Sequence, residues 1–187
     1  MDIKHIPLND ILKEYKEINT QSLYKPVAVG RYGIRTRESI YKKQLAKDYS
    51  KNKVISKDTL TVGMVSKQID IGVLSENNKY SVSPAYHTFY INNVDSDYLR
   101  YCLEYRNNDM SERYMIASAR QGKTIDFKRW LTYKIPVYES KKQLDIVYEL
   151  DTIHEAIDML TSKLSMLDEL VKSRFMCQEV LVWIIKN

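Results

Sequence analysis

The sequence predicts an α+β protein: a mixed-sheet globular head over residues 1–139, followed by one long C-terminal coiled-coil helix. Three observations carry this. Residues 54–91 run in short apolar/polar alternations punctuated by glycine and proline, the signature of strands. Residues 95–105 place apolar side chains at helical spacing behind an aspartate that can cap them. Ile146, Leu150, Ile153, Ile157, Leu160, Leu164, Leu167 and Val171 fall at alternating steps of four and three. That is an a/d seam held over about four heptads.

In chain order, residues 6–18 are expected to form a short helix, capped by Asn9 or Asp10, with Ile11 and Leu12 on its apolar face. Val27, Ala28 and Val29 suit a short strand, and Gly30 and Gly33 a turn or bulge. These glycines do not have dinucleotide-loop spacing, and no phosphate-loop lysine follows them. Leu60, Val62 and Met64 share one strand face, Ile69 and Ile71 follow, and Gly72 and residues 75–79 mark turns. After Pro84 the alternation of residues 86–91 predicts another strand. Asp95 then caps a helix carrying Tyr98, Leu99, Cys102, Leu103 and Tyr105 on its apolar face, and residues 111–118 are expected to form a second helix. A basic turn over residues 120–123 leads to Phe127, Trp130 and Leu131, which pack the chain back, and residues 133–137 supply the last strand.

The long helix is expected over residues 140–177. Ser140 and Gln143 match a capping box at its start, and neither proline nor glycine interrupts it. At 1.5 Å per residue such a helix is about 55 Å long and needs another helix to cover its seam. Thr152, Met159 and Met166 occupy the g positions. A stripe widened in this way suits contact with more than one neighbour, although gap-filling methionines in a simple dimer give the same pattern. Residues 178–187 form an apolar tail, expected to dock on the head or on a partner.

With 187 residues, 44% of them hydrophobic and 11% aromatic, the chain has room for one ordinary domain plus the helix. It has neither an apolar run of membrane-spanning length nor a signal-peptide pattern, and its two cysteines, Cys102 and Cys177, sit at apolar helical positions. A reduced, cytoplasmic protein is expected. His5, His87 and His154 are scattered without metal-ligand spacing. His87 suits a satisfied, half-buried strand position better than a catalytic one, since no nucleophile or paired carboxylate is placed beside it by sequence.

Charge is unevenly placed. Residues 1–140 hold 23 Lys+Arg against 16 Asp+Glu, a net of +7, and residues 141–187 hold 6 against 8, a net of −2. A basic head suits a polyanion, most simply double-stranded DNA. The most basic stretch is residues 31–57, where Arg31, Arg35, Arg37, Lys42, Lys43, Lys47, Lys51, Lys53 and Lys57 face only Glu38 and Asp48, with Tyr32, Tyr41 and Tyr49 interleaved. Arginine offers a planar fork for guanine or phosphate, lysine a point charge for phosphate. Arg31, Arg35, Arg37, Lys42 and Lys43, with Arg120 and Lys123 of the basic turn, are the candidate DNA-binding residues. A solvated basic surface is the plainer alternative.

The segment IASARQGKTIDFKRWLTYKIPVYESKKQLDIVYELDTIHEAIDML resembles the junction between a target recognition domain and a conserved helix in the specificity subunits of type I restriction–modification systems. Ile135, Pro136, Gln143, Ile146, Leu150, Ile153 and Ile157 carry the match. VSPAYHTFYI resembles a strand of these recognition domains, and LNDIL their opening helix. Lys142 stands before Gln143 where the family usually has glutamate. Full-length members carry two recognition domains and two antiparallel helices, and this chain carries one of each, so it looks like a half-subunit. The resemblance implies a non-catalytic reader of DNA that needs no cofactor of its own. It would read one half-site per chain, dimerise through the heptad helix, and hold modification subunits that methylate adenine with S-adenosylmethionine, optionally with restriction subunits. The absence of a glycine-rich cofactor loop and of an Asn-Pro-Pro-aromatic motif agrees with that. Two other classes fit less of the sequence: a coiled-coil adaptor that binds protein only, and an enzyme using His87 or scattered carboxylates.

Overall fold

The computed structural model describes residues 3–30, 33–37, 48–63, 67–118 and 122–186, with the backbone alone for Ser118, Gly122 and residues 175–186. It divides into two compact units, Met1–Leu144 and Asp145–Asn187. The first is the α+β head.

The head is organised on a four-stranded antiparallel sheet of order β2-β9-β6-β7, formed by β2 (Leu12–Glu14), β6 (Thr59–Val62), β7 (Ile71–Leu74) and β9 (His87–Ile91). Because strand side chains alternate, each face has its own set. Leu60 stands opposite both Val73 and Phe89, and Val62 opposite Ile71. This face is covered by Leu8, Ile11, Leu99, Leu103, Met110 and Trp130 from short helices. The other face carries Thr59, Thr61, Gly72, Leu74 and Thr88. Leu74 there joins Val27, Val29, Ile55 and Val82 in a second cluster. That cluster is supplied by the hairpin of β3 (Val27–Gly30) and β4 (Gly33–Thr36) and by the ladder of β5 (Lys53–Ile55) and β8 (Tyr80–Val82). With both faces covered, all four residues of β6 are buried, although its sequence TLTV alternates.

The region of residues 6–18 is not the single helix its apolar spacing predicts. It runs β1 (Lys4–Pro7), one helical turn Leu8–Ile11, then β2. Leu8 and Ile11 do reach the core, but Leu12 is drawn into pairing with Ile91, and backbone pairing outweighs local periodicity. Gly72, expected to mark a turn, lies inside β7 opposite Thr61. A Cβ there would come within 2.6 Å of Ile34 Cγ1, so glycine is required by the close approach of the β3–β4 hairpin. Gly33 opens β4 opposite Gly30 at φ +77°, a left-handed backbone that favours glycine.

The helix behind Asp95 forms as expected, over Ser96–Tyr105, with Asp95 Oδ1 accepting from Tyr98 N at 2.9 Å. Tyr98, Leu99 and Leu103 are buried, but Tyr105 at the last position is 89% exposed and Tyr101 is buried instead. The next helix covers Asn107–Tyr114, and Met115–Ser118 leaves it to become β10. β10 pairs with β11 (Gly122–Ile125) in a hairpin. Asp126 caps a turn of helix, Phe127–Trp130, that sets Trp130 fully inside the core. The last strand, β12 (Lys134–Val137), returns to pair with β1.

The long helix spans Ser140–Lys186, 47 residues or about 70 Å along its axis. It passes Cys177 and takes in residues 178–186, where no proline or glycine stops it. Its start differs from the capping box. Gln143 is buried, its Oε1 accepts from Asp95 N at 2.9 Å, and its Nε2 donates to Tyr138 O at 2.7 Å. Both ends of that amide are committed to the head, which outweighs a local cap.

Candidate nucleic-acid interface

The β3–β4 hairpin presents the first candidate residues. Ile34 packs toward Gly72, so the next side chain along β4, Arg35, turns to the opposite face and is exposed. Arg37 follows the strand and is half-buried. Arg31, Lys42 and Lys43 lie outside the described residues. The end of the basic stretch is anchored by Asp48, whose carboxylate accepts from Ser50 N and Ser50 Oγ, each at 2.8 Å, and from Ser22 Oγ at 3.1 Å. The bonds from Ser50 and then Ser22 hold its pKa below the usual value.

Lys53 leaves the basic surface altogether. It is buried on β5 with Nζ donating to the Tyr86 carbonyl, and burial pulls its pKa down. Lys51 and Lys57 remain exposed on either side of it. The run of like charge is therefore divided by burial: β5, Lys53 included, is buried along its whole length, while Lys51 and Lys57 lie outside the strand and stay exposed.

The second candidate region is the β10–β11 hairpin. Lys123 is exposed on β11 opposite Ala117, and Arg120 lies outside the described residues. Sequence reasoning missed Lys67, which is also exposed and lines one depression with Lys123. A single lysine in a connection gives no run or period to notice.

His87 is accounted for by packing, as its strand position suggests. Its Nδ1 lies 2.8 Å from Glu14 Oε1, and its ring sits 3.9 Å from that of Phe127. Among the described residues no group of three or more His, Cys, Asp or Glu side chains could hold a metal ion. Burial raises the thiol pKa of half-buried Cys102, away from reactivity. No helix among the described residues is long and apolar enough to cross a membrane.

The seam residues of the second unit are uncovered. Ile146 and Leu150 are half-buried, and every residue from Thr152 to Arg174 is exposed. Ile153, Ile157, Leu160, Leu164, Leu167 and Val171 are each between 51 and 64% exposed, and Met159 and Met166 are exposed beside them. Such a contiguous apolar stripe marks a contact surface.

No family model and no curated protein matches the chain. Two solved structures are similar to it in fold. One is a chain from work on the complex assembly and conformational transition of the type I R-M system, at 15% identity and a TM-score of 0.55 over 84% of this chain and 40% of that one. The other is the HsdS subunit from Thermoanaerobacter tengcongensis, at 13% identity and a TM-score of 0.53 over 85% of this chain and 39% of that one. The chain thus spans about two fifths of the length of the structures it matches. Over 84–85% of its length the chain shares the fold of these two structures.

Proposed function

We propose that this chain is the specificity subunit of a type I restriction–modification complex, in a form with one recognition head and one helix per chain. The observation that carries the reading is the fold shared with HsdS over 84–85% of this chain but only 39–40% of its neighbours, joined to a helix whose apolar seam is exposed. The exposed a/d seam calls for a partner helix, and a second copy of this chain supplies one. Residues 1–139 read DNA, residues 140–177 pair the chains and bind the modification subunit, and residues 178–187 are the apolar tail that docks on the head or on a partner. A restriction subunit is an optional further member. The chain itself performs no catalysis and uses no cofactor. Methyl transfer belongs to its partner, and the complex works in the cytoplasm.

A closed homodimer pairs the same surface with itself, so two identical heads are presented in opposite directions. With the helices antiparallel, as the family resemblance implies, the site is the same half-site twice, inverted, around an unread spacer. Mapping methylated adenines in DNA from cells carrying this chain with its modification subunit tests this. An interrupted palindrome is the expected motif. An asymmetric bipartite motif would show that a different second head completes the reader. No motif dependent on this chain would leave a protein-binding adaptor as its role.

A further inference from the structure

Resting on that reading, we infer that Lys67 and Lys123 together hold one backbone phosphate of duplex DNA, and that the β10–β11 hairpin is the element that meets the sugar–phosphate chain there. The two lysines line a depression of about 320 Å³ between the hairpin and the Asn107–Tyr114 helix, with Ser111, Met115, Ile116 and Ala117.

The placement of Lys123 follows from register. Met115 stands opposite Ile125, and Ala117 opposite Lys123, so all four share one face of the hairpin. Met115 and Ile125 pack on the core. The next pair outward carries that same face past the edge of the core, and Lys123 is held over the depression rather than turned away from it.

Lys67 is held from the other side. Two residues on, the Ile69 amide donates to Ser111 Oγ at 3.0 Å and the Ile69 carbonyl accepts from Asn107 Nδ2 at 2.8 Å. Ser111 Oγ in turn donates to Asn107 Oδ1 at 3.0 Å, and Gln68 Nε2 bonds Asn108 Oδ1. Ile69 itself is fully buried. The backbone beside Lys67 is thus clamped to the helix that forms the floor, which lowers the ordering cost of using its ammonium group. Neither lysine is in an ion pair among the described residues. Exposed Ala117, on the same face as Lys123, suits the apolar side of a deoxyribose. Glu112 lines the same depression and opposes a phosphate, which gives the proposal a second, opposite-signed prediction.

The test titrates the full chain with a short labelled duplex of unrelated sequence between about 50 and 200 mM salt, since each phosphate contact contributes about 0.9 to the slope of log K against log salt. Lys67→Gln and Lys123→Gln should each lower that slope by about one contact and weaken binding several-fold. Glu112→Gln should tighten binding, an effect that a purely structural role would not produce. Unchanged slopes in both lysine variants, with wild-type binding intact, would overturn this site and leave the specificity reading standing. Wild-type protein that bound no duplex even at low salt would overturn both. All three side chains are exposed, and matching thermal melts would show that the variants fold.

Discussion

Gln143 Oε1 accepts the backbone N–H of Asp95 at 2.9 Å, so the first turn of the long helix is tied to the N-cap of the Ser96–Tyr105 helix. The same amide donates to Tyr138 O at 2.7 Å, and nearby Tyr98 Oη donates to Pro136 O at 2.9 Å. One buried side chain therefore satisfies two backbone groups from distant parts of the chain.

Gln143→Ala should cost about 2 kcal/mol, since it strands a donor and an acceptor in a buried place. Gln143→Glu keeps the acceptor but buries a carboxylate against the Tyr138 carbonyl, so at neutral pH it should cost at least as much as Gln143→Ala. Urea denaturation of both variants checks this. Equal midpoints for wild type and Gln143→Ala would refute it.

Gly72→Val should cost about 3 kcal/mol by overpacking against Ile34 and Val29. The clash is with Ile34 Cγ1, so Ile34→Ala should recover part of the loss in the double variant. A double-mutant cycle measured by thermal melting reads the coupling, and strict additivity would contradict the proposed contact.

Burial raises the Asp70 carboxyl from its ordinary 3.8 to about 6. A raised folded-state value means that the neutral form favours folding. The contribution is fully present below about pH 4 and is lost as pH rises through about 6. Asp70→Asn should therefore be more stable than wild type by about 1 kcal/mol at pH 8, after discounting for the half-exposed carboxylate, and show no gain near pH 3.5. Denaturant midpoints at the two pH values test the sign as well as the size.

Leu160→Asp and Leu164→Asp should each give monomers. In the proposed homodimer the seam is covered by the second copy's helix, and an unpaired charge in such a contact costs several kcal/mol. Light scattering that showed dimers for both variants would place the chain–chain contact elsewhere.

The alternation of β9 and the cap at Asp95 were legible because each is a local pattern with one physical solution. The Leu8–Leu12 segment was not, because apolar residues at 8, 11 and 12 fit a helix and also fit a single turn feeding a strand. Only the distant pairing of Leu12 with Ile91 decides between them. Gly72 is conspicuous in the sequence but ambiguous in cause, since glycine marks close approach as well as turns. The interface was half legible. Arg35 and Lys123 do stand exposed on hairpins, but Lys53, in the same charge run as Arg35, is buried because the whole of β5 is covered, which composition does not show. Lys67 depends on Asn107 and Ser111, about forty residues away, and on nothing beside it.

The pairing of Lys4 with Val137 has a kinetic consequence. The first strand of the head cannot find its partner until about 130 further residues exist, and such a late, non-local closure slows folding. At cellular synthesis rates the wait is on the order of ten seconds. During it β1 has an open edge, while the central β6–β9 pairing can already form. Closure of β1 on β12 also fixes the strand immediately before the long helix. The strand that leads into that helix's first turn therefore stays unpaired until β1 and β12 meet, and a head stalled before closure would lack this ladder.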